Sequence, residues 1–145
     1  MKNKILYMMV VTAFLMVSCG SSVDSPPLVY LVSNGELADG FQGPYCWDKG
    51  AGGALCVDPI QPYFDETIRF PASGPIQFLL DEPLPDEVTL SLSRELFGDN
   101  VISEKVSVTE NMDWSPEVDA GEYILTVGAK WPQGDVAYWF SIVLE

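Results

Sequence analysis

The sequence predicts an all-β fold, an antiparallel β-sandwich. Three observations carry this. Apolar runs of strand length recur along the chain with proline and glycine between them, as breakers should lie. Residues 88–93 (VTLSLS) alternate, with Val88, Leu90 and Leu92 on one side and Thr89, Ser91 and Ser93 on the other. No segment beyond the first residues shows the three–four apolar spacing of an amphipathic helix, and there is no heptad or internal repeat.

The chain opens with Lys2 and Lys4 and then an apolar run over residues 5–17, interrupted by Thr12 alone. That run fits the roughly 7–15 residues of a secretory signal and falls short of the ~20 of a membrane span. It ends in Leu15-Met16-Val17-Ser18-Cys19-Gly20. This stretch resembles the lipobox of bacterial lipoproteins: an aliphatic residue, a tolerant position, a small residue, then cysteine. It departs from the pattern in placing Met16 three residues before the cysteine, with Leu15 one position early. The resemblance implies cleavage before Cys19, a diacylglycerol thioether on its sulfur and an acylated amino terminus. Two or three chains would hold the protein stably on a membrane, each buried CH₂ adding ~0.8 kcal/mol. The alternatives are an ordinary signal peptide with an incidental cysteine, or an uncleaved anchor. On the lipoprotein reading, residues 1–18 are the signal, 19–27 a lipidated flexible tether and 28–145 the domain. The expected location is the extracytoplasmic side of the cell membrane or the outer membrane.

The 21 acidic residues all lie beyond residue 18, together with five of the seven basic ones, so residues 19–145 carry a formal charge of −16. Such a body repels phosphate backbones and anionic lipid headgroups, which excludes nucleic acid as a partner and leaves the acyl group as the membrane contact. Histidine is absent. That removes Ser-His-Asp and Cys-His catalysis and imidazole metal ligands.

Residues 20–27 (GSSVDSPP) are small, polar and proline-ended, the composition of a tether. Residues 28–32 (LVYLV) form the first expected strand. Residues 44–58 (PYCWDKGAGGALCVD) then place Cys46 and Cys56 symmetrically about Ala51. A hairpin turning at residues 49–53 would set the cysteines face to face, Tyr45 opposite Val57 and Trp47 opposite Leu55, with glycine supplying the positive φ of the turn. With Cys19 lipidated, these are the two remaining thiols, and an oxidising compartment would join them. The rival is a pair of free buried thiols. A tetrahedral metal site wants about four ligands, and the spacing is not C-x-x-C.

Further strands are expected over residues 67–70, 76–80, 88–93 and 104–109, the last with Val106 and Val108 inward. Residues 119–145 form the closing hairpin: Tyr123, Leu125 and Val127 on one face, a turn at Trp131-Pro132-Gln133-Gly134, then Val136, Tyr138, Phe140 and Ile142. Pro132 and Gly134 suit a type I turn with a glycine bulge. Asp119-Ala120-Gly121-Glu122-Tyr123 resembles the D-x-G-x-Y opening of the penultimate strand of immunoglobulin-like domains. The resemblance implies a tyrosine corner at Tyr123, its hydroxyl bonded to upstream backbone. Leu125 stands where antibody-type domains carry cysteine, so Cys46 and Cys56 would form a local clip instead of the inter-sheet bridge.

Trp131 and Trp139 are the candidate ligand surface. Trp139 falls on the face opposite Tyr138 and Phe140, and an exposed aromatic patch marks a binding site. The plainer alternative covers both sheet faces, or packs Trp139 under the N-terminal segment. Carboxylates gather at Asp81, Glu82, Asp86 and Glu87, and again at Glu110, Asp113, Glu117, Asp119 and Glu122. Calcium prefers such oxygens, but no D-x-[DN]-x-[DN]-G loop is present. The expectation is therefore a monomeric envelope lipoprotein without catalytic residues, metal or cofactor, serving as a binding or structural module toward an unidentified protein or glycan. The alternatives are a carbohydrate- or calcium-dependent recognition module, and an inhibitor of an envelope enzyme.

Overall fold

The computed structural model describes residues 24–58 and 61–145. The leader and Cys19 lie outside the described residues. Eleven strands run in chain order: β1 Val29–Ser33, β2 Glu36–Asp39, β3 Phe41–Asp48, β4 Ala54–Val57, β5 Ile68–Phe70, β6 Ile76–Leu80, β7 Glu87–Ser93, β8 Asn100–Val106, β9 Asn111–Trp114, β10 Gly121–Trp131 and β11 Gly134–Leu144. They form two sheets, one ordered β2-β1-β6-β9 and the other β4-β3-β11-β10-β7-β8. Every pairing is antiparallel but one: β5 lies parallel to β11, with Ile142 opposite Ile68 and Leu144 opposite Phe70.

Among the described residues the chain crosses between the sheets five times, after β2, β5, β6, β8 and β9. That puts β1, β6 and β9 on one side and β7, β10 and β11 on the other, the immunoglobulin-like sandwich. Alternation fills the space between them. Leu125 and Val127 of β10, Tyr138 and Ile142 of β11, and Val88, Leu90 and Leu92 of β7 meet Leu31, Ile76 and Phe78 from the smaller sheet, all at most 1% exposed. Each such side chain stabilises the fold by about 1.5–3 kcal/mol relative to exposure.

The clip forms as the sequence anticipates. Cys46 and Cys56 pair directly across β3 and β4 and are disulfide-bonded, with Tyr45 opposite Val57 and Trp47 opposite Leu55. A one-turn 3₁₀ segment, Gly50–Gly52, closes the hairpin, with Gly50 and Gly53 at φ +68° and +81°. The tyrosine corner is present too: the Tyr123 hydroxyl donates to the Asp119 carbonyl at 2.7 Å. The Arg94 guanidinium lies over the Tyr123 ring, 4.5 Å from its centre.

Several boundaries differ from expectation. Pro26 and Pro27 are buried, and the Tyr138 hydroxyl donates to the Pro27 carbonyl, so the domain begins before residue 28. The strand expected at residues 104–109 runs over Asn100–Val106 instead, because it pairs along β7 from Ser93 back to Val88. Val106 and Val108 are half-buried. β2 and β9 are additional strands. β2 follows an Asn34-Gly35 turn, both residues at positive φ, which is the type I′ hairpin connection. The closing hairpin turns over two residues, with Trp131 opposite Gly134. Gly134 is not in the left-handed region, so the expected glycine bulge does not form. It is glycine for a different reason: a Cβ there would collide with the Cys46 carbonyl oxygen. Among the described residues no helix is long and apolar enough to cross a membrane.

Candidate functional site

One edge of β11 is shared by two strands set end to end. β3 runs antiparallel along its first part, to Trp139 opposite Phe41, and β5 runs parallel along its last part, from Ile142. Phe140 and Ser141 lie between the two pairings, where the strands diverge and a crevice of about 390 Å³ opens. Its far wall is β2, from which the chain passes to the larger sheet through Gly40. Residues 63–66 close the mouth. Thr67 and Ser141 share a hydroxyl hydrogen bond of 3.0 Å, which fixes the start of β5 against the floor.

The crevice is aromatic and anionic. Phe41, Tyr63, Phe64 and Trp139 supply rings, and Asp39, Asp65 and Glu66 supply exposed carboxylates. No basic side chain lines it. Trp139 points to the outer face of the larger sheet and is 7% exposed. Phe41 stacks on it at 6.2 Å and 9°, and Phe97 meets it edge-on at 5.3 Å. Gly43 makes room for the indole, since a Cβ there would sit 3.0 Å from the ring. Phe97 reaches Trp139 from the turn after β7, where the Gly98 amide donates to Glu95. It adopts φ +61° while 77% exposed, a conformation that bulky residues avoid.

No family model, curated protein or solved structure matches this chain. Its chemistry has to be judged from its own residues.

The two tryptophans expected at a ligand surface separate. Trp139 borders the crevice. Trp131 is 3% exposed, sits edge-on to Trp47 at 5.5 Å and donates its indole N–H to the Pro83 carbonyl, so it belongs to the core. Inward alternation of β10 ends on Trp131, which settles its direction. The acid loops also disperse. Asp81 accepts from the Tyr30 hydroxyl, Glu82 from the Leu84 amide, and Glu87 pairs with Lys105 at 2.8 Å. Among the described residues no three His, Cys, Asp or Glu side chains are placed to hold a metal ion.

Two tyrosines have raised pKa values. Burial, then the Asp81 carboxylate, pushes Tyr30 up. Burial dominates at Tyr138, and the Gln42 side chain opposes it only in part. Glu87 is lowered, first by its hydrogen bond from Lys105.

Sequence reasoning missed Phe41, Tyr63, Phe97 and the crevice carboxylates. Local signals existed. Phe41 lies between Gly40 and Gly43, and residues 62–66 (PYFDE) set two aromatic side chains beside two acidic ones. What brings Phe41 to Trp139 is pairing across roughly a hundred residues, and Tyr63 and Phe97 arrive on loops from other parts of the chain; no local pattern contains either.

Proposed function

We propose that the chain is a lipid-anchored protein of the bacterial cell envelope whose domain is a non-catalytic recognition module, with the crevice beside Trp139 as its ligand site. The observation that carries this is the concave aromatic surface, rimmed by carboxylates, at the split edge of β11. The leader ending in Cys19 supports the anchor. A crevice without histidine, whose floor hydroxyl on Ser141 is already bonded to Thr67, favours binding over nucleophilic chemistry.

The anchor is tested by the intact mass of protein extracted from membranes. Residues 19–145 plus two or three acyl chains, with two hydrogens gained on reduction, is the expected result; a mass without lipid removes the anchor. The site is tested by placing a photo-crosslinking residue at Tyr63 in cells, with Ala51 at the clip tip as control. Adducts specific to the Tyr63 position are expected. Equal labelling at both positions rules out the crevice as the ligand site.

A second reading, recognition of a neutral glycan, is favoured by the stacked Phe41–Trp139 pair, since flat rings and carboxylate acceptors suit sugar faces and hydroxyls.

A further inference from the structure

The crevice does not end at residue 66. A second depression of about 250 Å³ adjoins it and shares Leu37, Ala38, Glu66 and Ile68 as walls. Together they form a groove between β2 and β5. Each part lies near or below the small end of the roughly 300–1,000 Å³ range of ligand sites, enough for a side chain or two. Among the described residues β2 pairs with β1 alone and β5 with β11 alone, and the Ser33 hydroxyl already donates to the Arg69 carbonyl of β5 at 3.3 Å, so β2 offers the longer open edge. Unpaired strand edges accept an added extended segment through main-chain hydrogen bonds.

The groove is charged with one sign. Glu36, Asp39, Asp65 and Glu66 border it. Its single basic side chain, Arg69, is held by Glu145 at 2.8 Å. The formal charge of −16 over residues 19–145 repels a second copy of the chain as well as phosphate-bearing or acidic glycans. Tyr63, 78% exposed, and the half-buried Phe41 and Phe64 add ring faces, which attract cations.

Resting on the recognition reading above, we infer that the groove between β2 and β5 binds an extended segment of a partner protein through its lysine or arginine side chains. The segment lies along the free strand edges. A cationic head enters the crevice against the rings and meets Asp65 and Glu66, while Glu36 and Asp39 receive charges further along.

The test uses the full-length protein in detergent and a fluorescent octa-arginine peptide, with the octa-citrulline peptide as an uncharged analogue of similar shape and chitohexaose as a neutral glycan. Octa-arginine is expected to bind with citrulline at least roughly tenfold weaker, because charge carries the contact. The variant Tyr63→Ala/Asp65→Asn/Glu66→Gln should lose roughly tenfold in affinity for octa-arginine. Glu110→Gln/Glu117→Gln removes the same charge at residues that do not line the groove and should lose less than about threefold. Tyr63→Ala alone touches only an exposed ring and should fold normally with an intermediate loss. Equal losses in the two charge-matched variants overturn the inference in favour of diffuse attraction. Chitohexaose binding without preference for arginine over citrulline overturns it in favour of a glycan. Absence of arginine binding while crosslinks at Tyr63 persist overturns the cationic class alone; loss of both overturns the recognition reading too.

Discussion

Tyr138 sends its hydroxyl through the core to the Pro27 carbonyl and so ties the last strand to the segment just before the first. Burial raises its pKa above the ordinary tyrosine value. The neutral form is the one the fold holds, so this contribution is complete below the unfolded pKa of about 10 and is lost as pH rises from there toward the folded value. Urea midpoints measured between neutral and strongly alkaline pH should fall more steeply for the wild type than for Tyr138→Phe. That variant should already be less stable at neutral pH by about 1–3 kcal/mol, since it leaves the Pro27 carbonyl unpartnered. Tyr123→Phe isolates the corner in the same way. Losing the bond to Asp119 should lower stability by about 1–1.5 kcal/mol in chemical denaturation, with the β pattern of the circular dichroism unchanged. These two tyrosines differ in how plainly the sequence announces them. Tyr123 sits in a local five-residue signature, whereas Tyr138 reads only as an inward strand position, its partner being 111 residues away.

The elements show the same division between local and distant information. The clip is legible because eleven residues contain both cysteines, the glycines and the symmetry that pairs them. The chain-entropy model assigns its disulfide about 2.5–3 kcal/mol. Cys46→Ser/Cys56→Ser should lower the denaturation free energy by that order while the remaining strands keep their register, seen as unchanged amide protection in β7 and β10. Gly134→Ala should cost about 1–3 kcal/mol by forcing the closing turn off the Cys46 carbonyl, an effect the double cysteine variant should partly relieve as β3 loosens. β2 was readable in principle from Asn34-Gly35, but its short polar strand lacks an apolar alternation. β9 lies among prolines and acids and is a strand because β6 offers it a free edge with Phe78 opposite Met112. β5 has three residues and becomes a strand only because β11 outruns β3. The strand was expected at residues 67–70, but nothing local names β11 as its parallel partner; that same overrun opens the crevice, so the site was hidden with the pairing.

Across the whole molecule, charge is the dominant global term. A formal −16 over residues 19–145 is spread on a surface with two ion pairs among the described residues, Arg69–Glu145 and Lys105–Glu87, both solvent-exposed and each worth about 0–1 kcal/mol. Self-repulsion should therefore outweigh attraction. Raising sodium chloride from low to moderately high concentration should increase the melting temperature; a decrease would show that local ion pairs govern stability instead. The sandwich itself was readable from alternation in β7, β10 and β11, because each buries one face and the pattern has to match the pleat.

β11 touches β3, β5 and β10 and is nearly the last stretch of the chain. A polypeptide emerging N-terminus first from a ribosome thus lacks the centre of its larger sheet until Gly134–Leu144 appears. Until then β3, β4 and β5 have no partner on that side, and Pro27 has no hydroxyl to receive. Such late-closing, long-range pairing makes folding slow and nearly all-or-none. Before β11 arrives the larger sheet is in unjoined parts, and the domain commits to its shape with its last strand.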